Sequence, residues 1–294
     1  MNGKPEQSVY VVFGLTGHTG SVVADRLLAA GASVRTLARN AEKVAPWAAR
    51  GVEVVQGSLT DAAKVRETLE GAAGAYLLLP PVWGAPDLFA AHQPMVEAMV
   101  AGVKAADVPR VVVLSSVAAH QPSGTGPIRT LRALEAALVE RPGVTFLRPA
   151  YFQENLAGSL PMAKDEGVLG AFFNPQHAIE MVATQDIGTT AAELLRQPAA
   201  SSVRIVNLVG PKPLSMEDVA KVMGEVLGRS VAVQTFPHDA ITPMLEAQGA
   251  GHYATLYAEM NRGLDEGVVA YPEGEALTRG STPLFDTLQR LANG

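Results

Sequence analysis

Near its start the chain reads VYVVFGLTGHTG at residues 9–20. An apolar, β-branched run leads directly into three glycines with the spacing G-x-x-G-x-x-G, and a helix-like stretch follows at once. This order is typical of the first strand-to-helix turn of a dinucleotide-binding fold. Gly14 permits a sharp turn, Gly17 lets a pyrophosphate approach the backbone, and Gly20 lets the helix pack closely against the sheet.

A helix that begins inside this motif presents free N–H groups and a partial positive charge to an anion. A tight turn without a ligand is the alternative, but a position at the first turn of a repeated strand–helix series favours phosphate binding. We therefore predict that a diphosphate lies against this turn and that Gly14, Thr16, Gly17, His18, Thr19 and Gly20 bind the cofactor.

Strand-like and helix-like stretches alternate along the first half of the chain. Short apolar runs, nearly continuous as in strands buried on both faces, occupy residues 9–13, 34–38, 52–56, 75–79, 111–115 and 145–148. Helix-like stretches lie between them at residues 19–30, 41–50, 61–69, 88–106 and 128–140. This alternation predicts an α/β fold of the Rossmann type, a doubly wound parallel sheet with helices on both faces.

The alternation ends after Arg148. Residues 149–183 are rich in Gly, Pro and aromatic residues and show no clear sheet pattern, and the end of the chain reads as short helices. We therefore expect two domains: a nucleotide-binding domain at 1–155, to which 182–210 return, and a smaller, discontinuous C-terminal cap domain at 156–181 and 211–294.

The end of the second predicted strand indicates which cofactor binds. A site for NAD usually places Asp or Glu about 20 residues after the glycines, to accept a hydrogen bond from the ribose. Residues 36–40 instead read TLARN, without a carboxylate. Arg39 can pair with a 2′-phosphate, and His18 and Lys43 add positive charge nearby. A solvated arginine at a helix start is the alternative; the prediction is NADP(H).

The ends of the other predicted strands should line the same crevice, because ligands bind beyond the carboxyl ends of parallel strands. Ser58 and Leu59 are expected to flank the adenine, and Pro80 to run beside the ribose and nicotinamide. Ser115 and Pro149 end the two strands that follow. For each of these residues a purely structural role is the alternative, and Asp61 is interpreted as a helix N-cap.

Composition excludes several classes of protein. With 48% apolar and 18% charged residues the chain can bury a large core, and its net charge of -6 argues against nucleic-acid wrapping. Cysteine is absent, and the six histidines show no metal-binding spacing, so no metal site is predicted. The polar residues 1–8 lack a secretory apolar region, and the uncharged stretch 71–86 is too broken and short to span a bilayer. We expect a cytoplasmic protein without a membrane partner.

Several of these motifs together resemble the NmrA-like family of atypical short-chain dehydrogenase/reductases. The resemblance covers about residues 8–236 and lies in residues 14–20, 39–40, 57–61, 113–116 and 147–156, the last reading LRPAYFQENL. It implies a Rossmann core, a small C-terminal substrate domain and a cleft between them. Members of the family include NADP(H)-dependent quinone and azo reductases and non-catalytic dinucleotide sensors that bind regulatory proteins.

The chain departs from the wider superfamily in its proton donors. The superfamily uses a Tyr-x-x-x-Lys pair after the serine strand, but residues 127–135 read PIRTLRALE, and Leu131 stands where many family members have Lys. Ordinary ketone reduction needs an acid near the forming alkoxide, a contribution of roughly 10²–10⁴-fold. Reduction of a quinone gives an aromatic hydroquinone anion, a much weaker base, so one weak acid or solvent suffices.

His120 and Tyr151 are the candidate acids, and Phe152 is expected to wall the nicotinamide pocket; a loop histidine and packing aromatics are the alternatives. A flat, hydrophobic substrate would suit the apolar cap residues Phe172, Phe173, Phe236, Met244, Tyr253 and Tyr257, although such a stripe also suits a core. The sequence thus predicts an NADP(H)-dependent oxidoreductase for quinone-like acceptors. The alternative is a non-catalytic NADP(H) sensor, and a homodimer or a regulatory protein partner stays open.

Overall fold

A computed structural model describes residues 8–293 and has a large parallel sheet at its centre. Within these residues the strands are β1 (Val9–Val12), β2 (Ser33–Ala38), β3 (Glu53–Gln56), β4 (Gly74–Leu77), β5 (Val111–Leu114), β6 (Val144–Pro149), β7 (Tyr151–Phe152), β8 (Val168–Ala171), β9 (Met181–Val182), β10 (Arg204–Val209), β11 (Ala232–Thr235) and β12 (Leu277–Arg279). The polar residues 1–7, interpreted above as lacking a secretory signal, lie outside the described residues.

Helices connect most of these strands. Over the same described part of the chain they are α1 (His18–Ala29), α2 (Ala41–Ala48), α3 (Ala62–Leu69), α4 (Leu88–Ala105), α5 (Arg129–Leu138), α6 (Leu160–Asp165), α7 (Thr184–Arg196), α8 (Met216–Leu227), α9 (Ile241–Ala247), α10 (His252–Asp265) and α11 (Leu284–Asn293). Between residues 8 and 293 we find no helix with the length and apolar character that crossing a membrane requires.

The central sheet has eight strands in the order β12-β10-β6-β5-β4-β1-β2-β3. All of its pairs are parallel; Val11, for example, lies opposite Arg35 of β2 and Ala75 of β4. The order reverses between β1 and β4, which opens a crevice beyond the carboxyl ends of these two strands. The predicted doubly wound parallel α/β fold is confirmed.

Both faces of the sheet are covered, which explains the nearly continuous apolar runs. Val12 packs on one face with Leu27 of α1 and Ile187 of α7. Its neighbour Val11 points to the other face and packs with Met99 of α4 and Leu134 of α5, since successive strand residues face opposite ways. All six side chains are fully buried.

Short polar side chains set the starts of several helices. Asn40 accepts hydrogen bonds from the first-turn N–H groups of α2, and Asp87 does the same for α4. Asp61 accepts from the N–H groups of Ala63 and Lys64 at 3.0 and 3.1 Å. The interpretation of Asp61 as an N-cap is therefore confirmed.

A second layer of structure covers the carboxyl end of the sheet. It contains two small sheets, β7 with β9 and β8 with β11, and a separate apolar core that includes Leu169, Phe173, Met223 and Leu288. The strands β7, β8 and β9 lie within residues 149–183, where the sequence shows no clear sheet pattern. β7 and β9 have two residues each, which are too few to display a period. β12, in the segment assigned to the cap, pairs instead with β10 at the edge of the main sheet.

Candidate functional site

The glycine motif forms a sharp turn between β1 and α1. Gly14 has a φ of 68°, in the left-handed region that glycine adopts without strain. Its carbonyl accepts a hydrogen bond from the N–H of Gly17 at 2.9 Å. A Cβ on Gly20 would lie 2.2 Å from the Gly14 oxygen, so the helix can approach the turn this closely only with glycine at that position.

The N-terminus of α1 is open to a ligand. Gly17 caps the helix without a side-chain hydrogen bond, no acidic residue occupies the first turn, and the first bond to a backbone acceptor is Ser21 N–H to Gly17 at 3.0 Å. The N–H groups of His18, Thr19 and Gly20 have no acceptor among residues 8–293. Three free donors on a helix dipole fit the diphosphate of a dinucleotide.

The side chains of this turn differ in what they can offer. Thr16 and His18 are exposed. Thr19 is buried, and its hydroxyl oxygen accepts a hydrogen bond from the hydroxyl of Tyr76 at 2.9 Å. Burial raises the pKa of the Tyr76 hydroxyl well above its usual value, so it stays a donor. Thr19 therefore presents its backbone N–H to the crevice while its side chain secures α1 to β4.

The two predicted phosphate-binding cations lie at the next strand end. Arg39 follows β2 directly and Lys43 lies in the first turn of α2, and both side chains are exposed. Neither forms a salt bridge within the described part of the chain. The N–H of Gly57 donates to the carbonyl of Ala38 at 3.0 Å, which brings the end of β3 beside Arg39. A free guanidinium at this edge is available to a 2′-phosphate.

The residues predicted to contact the cofactor at the other strand ends each have partners within the protein. Ser58 shares a hydrogen bond with Thr60 at 2.9 Å, and Leu59 packs partly on the core. The carbonyl of Pro80 lies 2.9 Å from Nε2 of the buried His92. The carbonyl of Pro149, at the end of β6, accepts from the N–H of Val117 at 2.9 Å.

Ser115 belongs to a buried polar network that sequence reasoning missed. Its hydroxyl donates to Glu135 of α5 at 2.5 Å, and Glu135 also binds Arg148 of β6. The hydroxyl of Tyr271 donates to the carbonyl of Arg148 at 2.8 Å. These side chains come from four separate segments, so no local spacing in the sequence could have revealed them. The hydroxyl of Ser115 is thus engaged in the core.

A cavity of about 840 Å³ lies between the strand ends and the cap. Its floor includes Ser116, Val117 and Ala150, which follow β5 and β6, and its walls come mainly from the cap. The aromatic and long apolar side chains that line it include Trp83, Tyr151, Phe152, Phe172, Phe236, Met244, Tyr253, Tyr257 and Tyr271. Cavities of this size and character suit a small, mostly apolar ligand.

Most of the cap residues predicted to line a substrate site lie in the wall of this cavity. Phe173 does not, because it is 4% exposed and lies in the apolar core of the cap, one residue beyond the lining Phe172. Trp83 was not predicted as a lining residue. It is 52% exposed, its ring lies 5.5 Å from that of Tyr253, and its Nε1–H donates to the carbonyl of Gln248 at 3.3 Å.

Three neighbouring tyrosines, Tyr151, Tyr253 and Tyr257, supply hydroxyl groups to the cavity wall. The rings of Tyr253 and Tyr257 stack at 5.7 Å, as their spacing of four residues on one helix predicts. The hydroxyl of Tyr257 lies beside the hydroxyl of Tyr151. The side chain of Asn155 also interacts with the Tyr151 hydroxyl. Burial raises the pKa of Tyr151 and Tyr257 above the usual range and that of Tyr253 to about 12. All three are neutral hydrogen-bond donors at physiological pH.

The two candidate acids lie in different places. Tyr151 lines the cavity, whereas His120 does not: it is half-buried, and its carbonyl accepts a hydrogen bond from Arg132. Nδ1 of His120 is buried and has no partner within residues 8–293. The structure therefore brings Tyr151 and Phe152, but not His120, to the cavity.

The glycine turn and the cavity lie at one edge of the sheet. The turn follows β1, and the cavity floor follows β5 and β6, with β4 between them. Leu78, directly after β4, touches the turn, since a Cβ on Gly14 would lie 2.6 Å from its Cδ2. This neighbourhood can hold a nucleotide at β1 and a flat organic molecule under the cap.

Three known proteins that this chain resembles in sequence or structure are named as reductases or oxidoreductases. A (4-alkanoyl-5-oxo-2,5-dihydrofuran-3-yl)methyl phosphate reductase from Streptomyces griseus is 30% identical over 240 residues, 81% of this chain and 80% of the relative. An NADPH-dependent quinone oxidoreductase from Escherichia coli, solved with NADPH, superposes with a TM-score of 0.81 at 21% identity, over 96% of this chain and 99% of that one. A triphenylmethane reductase from Citrobacter sp. has a TM-score of 0.79 at 21% identity and covers 98% of this chain and 100% of its own.

At such identities the two solved structures show a shared fold. The family itself is identified by sequence, because the model of the NmrA-like family matches residues 6–268, most of the chain. The resemblance carried by the glycine turn and the LRPAYFQENL segment is confirmed, and the chain belongs to the NmrA-like family.

Proposed function

We propose that this protein is an NADP(H)-dependent oxidoreductase that transfers hydride to a quinone-like or other flat, conjugated acceptor without a Tyr/Lys proton relay. One observation carries the proposal: an open helix N-terminus and an aromatic cavity of about 840 Å³ lie at the same edge of one sheet. The names of the Streptomyces, Escherichia and Citrobacter proteins support the same class of reaction.

The residues at β1 and β2 fit NADP(H). The free N–H groups at the start of α1 would hold the diphosphate, and Arg39 and Lys43 would hold the 2′-phosphate. NADPH, when bound, supplies the hydride, which is the difficult part of the chemistry. The protein's task is to hold two flat molecules in contact and to exclude competing reactions.

The cavity residues act on the acceptor. Phe152, Tyr253 and Tyr257 offer flat apolar surfaces, and the hydroxyl of Tyr151 can donate a hydrogen bond to a carbonyl oxygen. Because the pKa of Tyr151 is raised, this hydroxyl polarises the carbonyl rather than giving up its proton completely. A hydroquinone anion is a weak enough base to take its proton from solvent, so Leu131 at the usual lysine position does not prevent the reaction.

Steady-state oxidation of NADPH, followed by its loss of absorbance, tests the proposal with a panel of quinones, azo dyes and enals. We expect turnover with at least one flat acceptor and weaker turnover with NADH. Arg39→Ala should weaken NADPH binding by about 1–3 kcal/mol, because the 2′-phosphate loses its guanidinium partner. NADH binding should stay unchanged, because NADH has no 2′-phosphate.

Arg66→Ala is the matched control, since Arg66 is exposed on α3 away from the strand ends. It should change neither affinity. Tight NADPH binding without oxidation of NADPH by any acceptor would reject the reductase and support the sensor alternative. An unchanged preference for NADPH in the Arg39 variant would reject the role of Arg39.

A further inference from the structure

The wall of the cavity is unevenly charged. Among the described residues that line it there is no lysine and no arginine, and Glu180 is the only carboxylate. His177 supplies the one imidazole among these described lining residues. A phosphorylated ligand would therefore enter the cavity beside a carboxylate and without a lysine or arginine partner, which is unfavourable.

Glu180 is fixed beside the candidate acid. Its carbonyl accepts a hydrogen bond from the N–H of Tyr151 at 3.2 Å, at the start of the β7–β9 pair. Its side chain is 20% exposed, and its negative charge helps to raise the pKa of Tyr271, another lining residue, although burial is the larger cause. The negative charge of Glu180 thus acts electrostatically on groups in the cavity wall.

Arg279 balances part of this charge from outside the wall. Its guanidinium lies 3.2 and 3.5 Å from the two carboxylate oxygens of Glu180, donates to the carbonyl of Gly210 at 3.0 Å, and is 47% exposed. Arg279 is not among the residues that line the cavity. Solvent screens the guanidinium more than the half-buried carboxylate, so the cavity keeps a negative bias.

The aromatic walls add to this preference. The faces of aromatic rings attract cations through the ring quadrupole. The rings of Trp83, Tyr253 and Tyr257 form a continuous row: Tyr253 stacks on Tyr257 at 5.7 Å, and Trp83 lies 5.5 Å from Tyr253 at a tilt of 41°. Phe172 and Phe236 lie 5.6 Å apart within the same lining. A planar molecule that carries positive charge would meet ring faces and Glu180 together.

We propose that the cavity selects its ligand by charge: it takes planar aromatic compounds that are positively charged or neutral and excludes phosphorylated ones, and Glu180 sets this preference. The inference rests on the proposed function in that the cavity is the acceptor site. It separates this chain from its Streptomyces griseus relative, which is named for a methyl phosphate substrate.

Calorimetric titration at pH 8 without NADPH tests the proposal with three probes that share one ring system. They are (2-naphthylmethyl)trimethylammonium, 2-naphthylmethanol and 2-naphthylmethyl phosphate. We expect the cation to bind at least about tenfold more tightly than the phosphate, with the alcohol between them, as unit charges several ångströms apart produce at an effective dielectric constant of about 20. Equal affinities, tighter binding of the phosphate, or no binding of any probe would overturn the proposal.

Two variants shift the ratio in opposite directions. Glu180→Gln should lower the cation-to-phosphate affinity ratio toward one, and Arg279→Gln, which removes the balancing charge, should raise it. Glu225→Gln, on the exposed face of α8, is the control and should leave the ratio unchanged. Circular dichroism checks the fold of each variant, and Arg279→Gln tests the proposal even where Glu180→Gln does not fold.

Because these titrations contain no NADPH, their outcome is independent of hydride transfer. The expected ratios without NADPH oxidation by any acceptor would reject the reductase while leaving charge selection intact. Quinone reduction by a protein that binds all three probes equally would reject charge selection alone. An unchanged ratio in Glu180→Gln, or a lower one in Arg279→Gln, would also reject the role of Glu180.

Discussion

The carboxylate of Glu135 and the guanidinium of Arg148 form a bidentate ion pair in the core, with Oε2–Nη2 at 2.6 Å and Oε1–Nε at 2.9 Å. Both residues are less than 10% exposed. The pair joins α5 to β6 one residue before β6 ends at Pro149, and Tyr151 follows in β7. A rigid, planar fork at this point positions the segment that forms the cavity floor.

Removing one partner of this pair should be costly. Glu135→Gln leaves the Arg148 guanidinium buried without its counter-charge and weakens the acceptor of the Ser115 hydroxyl. We expect the free energy of unfolding to fall by about 3–5 kcal/mol, the range for breaking a buried ion pair. Urea denaturation measures the change.

Asp25→Asn is the control, because its pair with Arg50 is about half exposed on both sides. That substitution should cost no more than about 1 kcal/mol. If Glu135→Gln and Asp25→Asn prove equally mild, the buried pair does not stabilise the strand end as argued.

The glycines of the β1–α1 turn should separate into a binding role and a folding role. A Cβ on Gly20 would lie 2.2 Å from the Gly14 oxygen, so Gly20→Ala should destabilise the fold by about 1–3 kcal/mol, as overpacking does. A Cβ on Gly17 would lie 3.2 Å from the same oxygen and would strain the turn less. Gly17 is the N-cap of α1, however, so this Cβ would lie where the diphosphate is expected to bind.

Gly17→Ala is therefore expected to weaken NADPH binding more than tenfold, roughly 1.4 kcal/mol or more, with a smaller loss of stability than Gly20→Ala. Thermal denaturation and fluorescence titration with NADPH measure the two effects separately. Unaltered NADPH affinity in folded Gly17→Ala would remove the diphosphate from this turn.

Tyr151→Phe tests the hydrogen bond to the acceptor. We expect kcat for a quinone to fall about tenfold, the worth of one hydrogen bond of about 1.5 kcal/mol, while KM for NADPH stays constant. The wild-type rate should not decline through loss of the Tyr151 proton below about pH 10, the pKa of free tyrosine, because burial raises the pKa of this hydroxyl.

Tyr10→Phe is the matched control, since Tyr10 is buried in β1 and is not among the residues that line the cavity. It should leave kcat unchanged. Equal rates for Tyr151→Phe and the wild type would show that the acceptor does not use this hydroxyl.

Alkaline pH should destabilise the folded protein. Five hydroxyls have a pKa raised by burial: Tyr76, Tyr151, Tyr253, Tyr257 and Tyr271. Each keeps its proton in the folded state after the unfolded chain has lost it. Stability is therefore complete below about pH 10 and falls as pH rises, by up to about 1.4 kcal/mol per pH unit for each group.

Urea denaturation between about pH 9 and about pH 12 measures this slope. Tyr253→Phe should make it shallower, because the pKa of Tyr253 is raised to about 12 and its contribution would disappear. A slope that is the same in both proteins would mean that Tyr253 ionises as freely in the folded state as in the unfolded chain.

Local patterns in the chain were enough to predict the parallel sheet and its connecting helices. Apolar runs buried on both faces and caps such as Asp61 depend on residues close together in sequence, so they can be recognised from one sequence. The glycine turn was predicted for the same reason, because Gly14, Gly17 and Gly20 lie within seven consecutive residues and contact one another locally. Most cap aromatics were also placed correctly, although a lining Phe172 cannot be told from a buried Phe173 without knowing how the cap folds.

Everything that joins distant segments required the tertiary structure. Glu135 and Arg148 read as an ordinary helix residue and an ordinary strand residue, and only the packing of α5 on β6 makes them a buried pair. The same holds for Trp83 against Tyr253, for Glu180 beside Arg279, and for His120, which lies outside the cavity despite its nearby position in sequence. Short-range chemistry thus specifies the cofactor turn, whereas the shape and charge of the cavity arise from long-range packing, which periodicity and spacing do not encode.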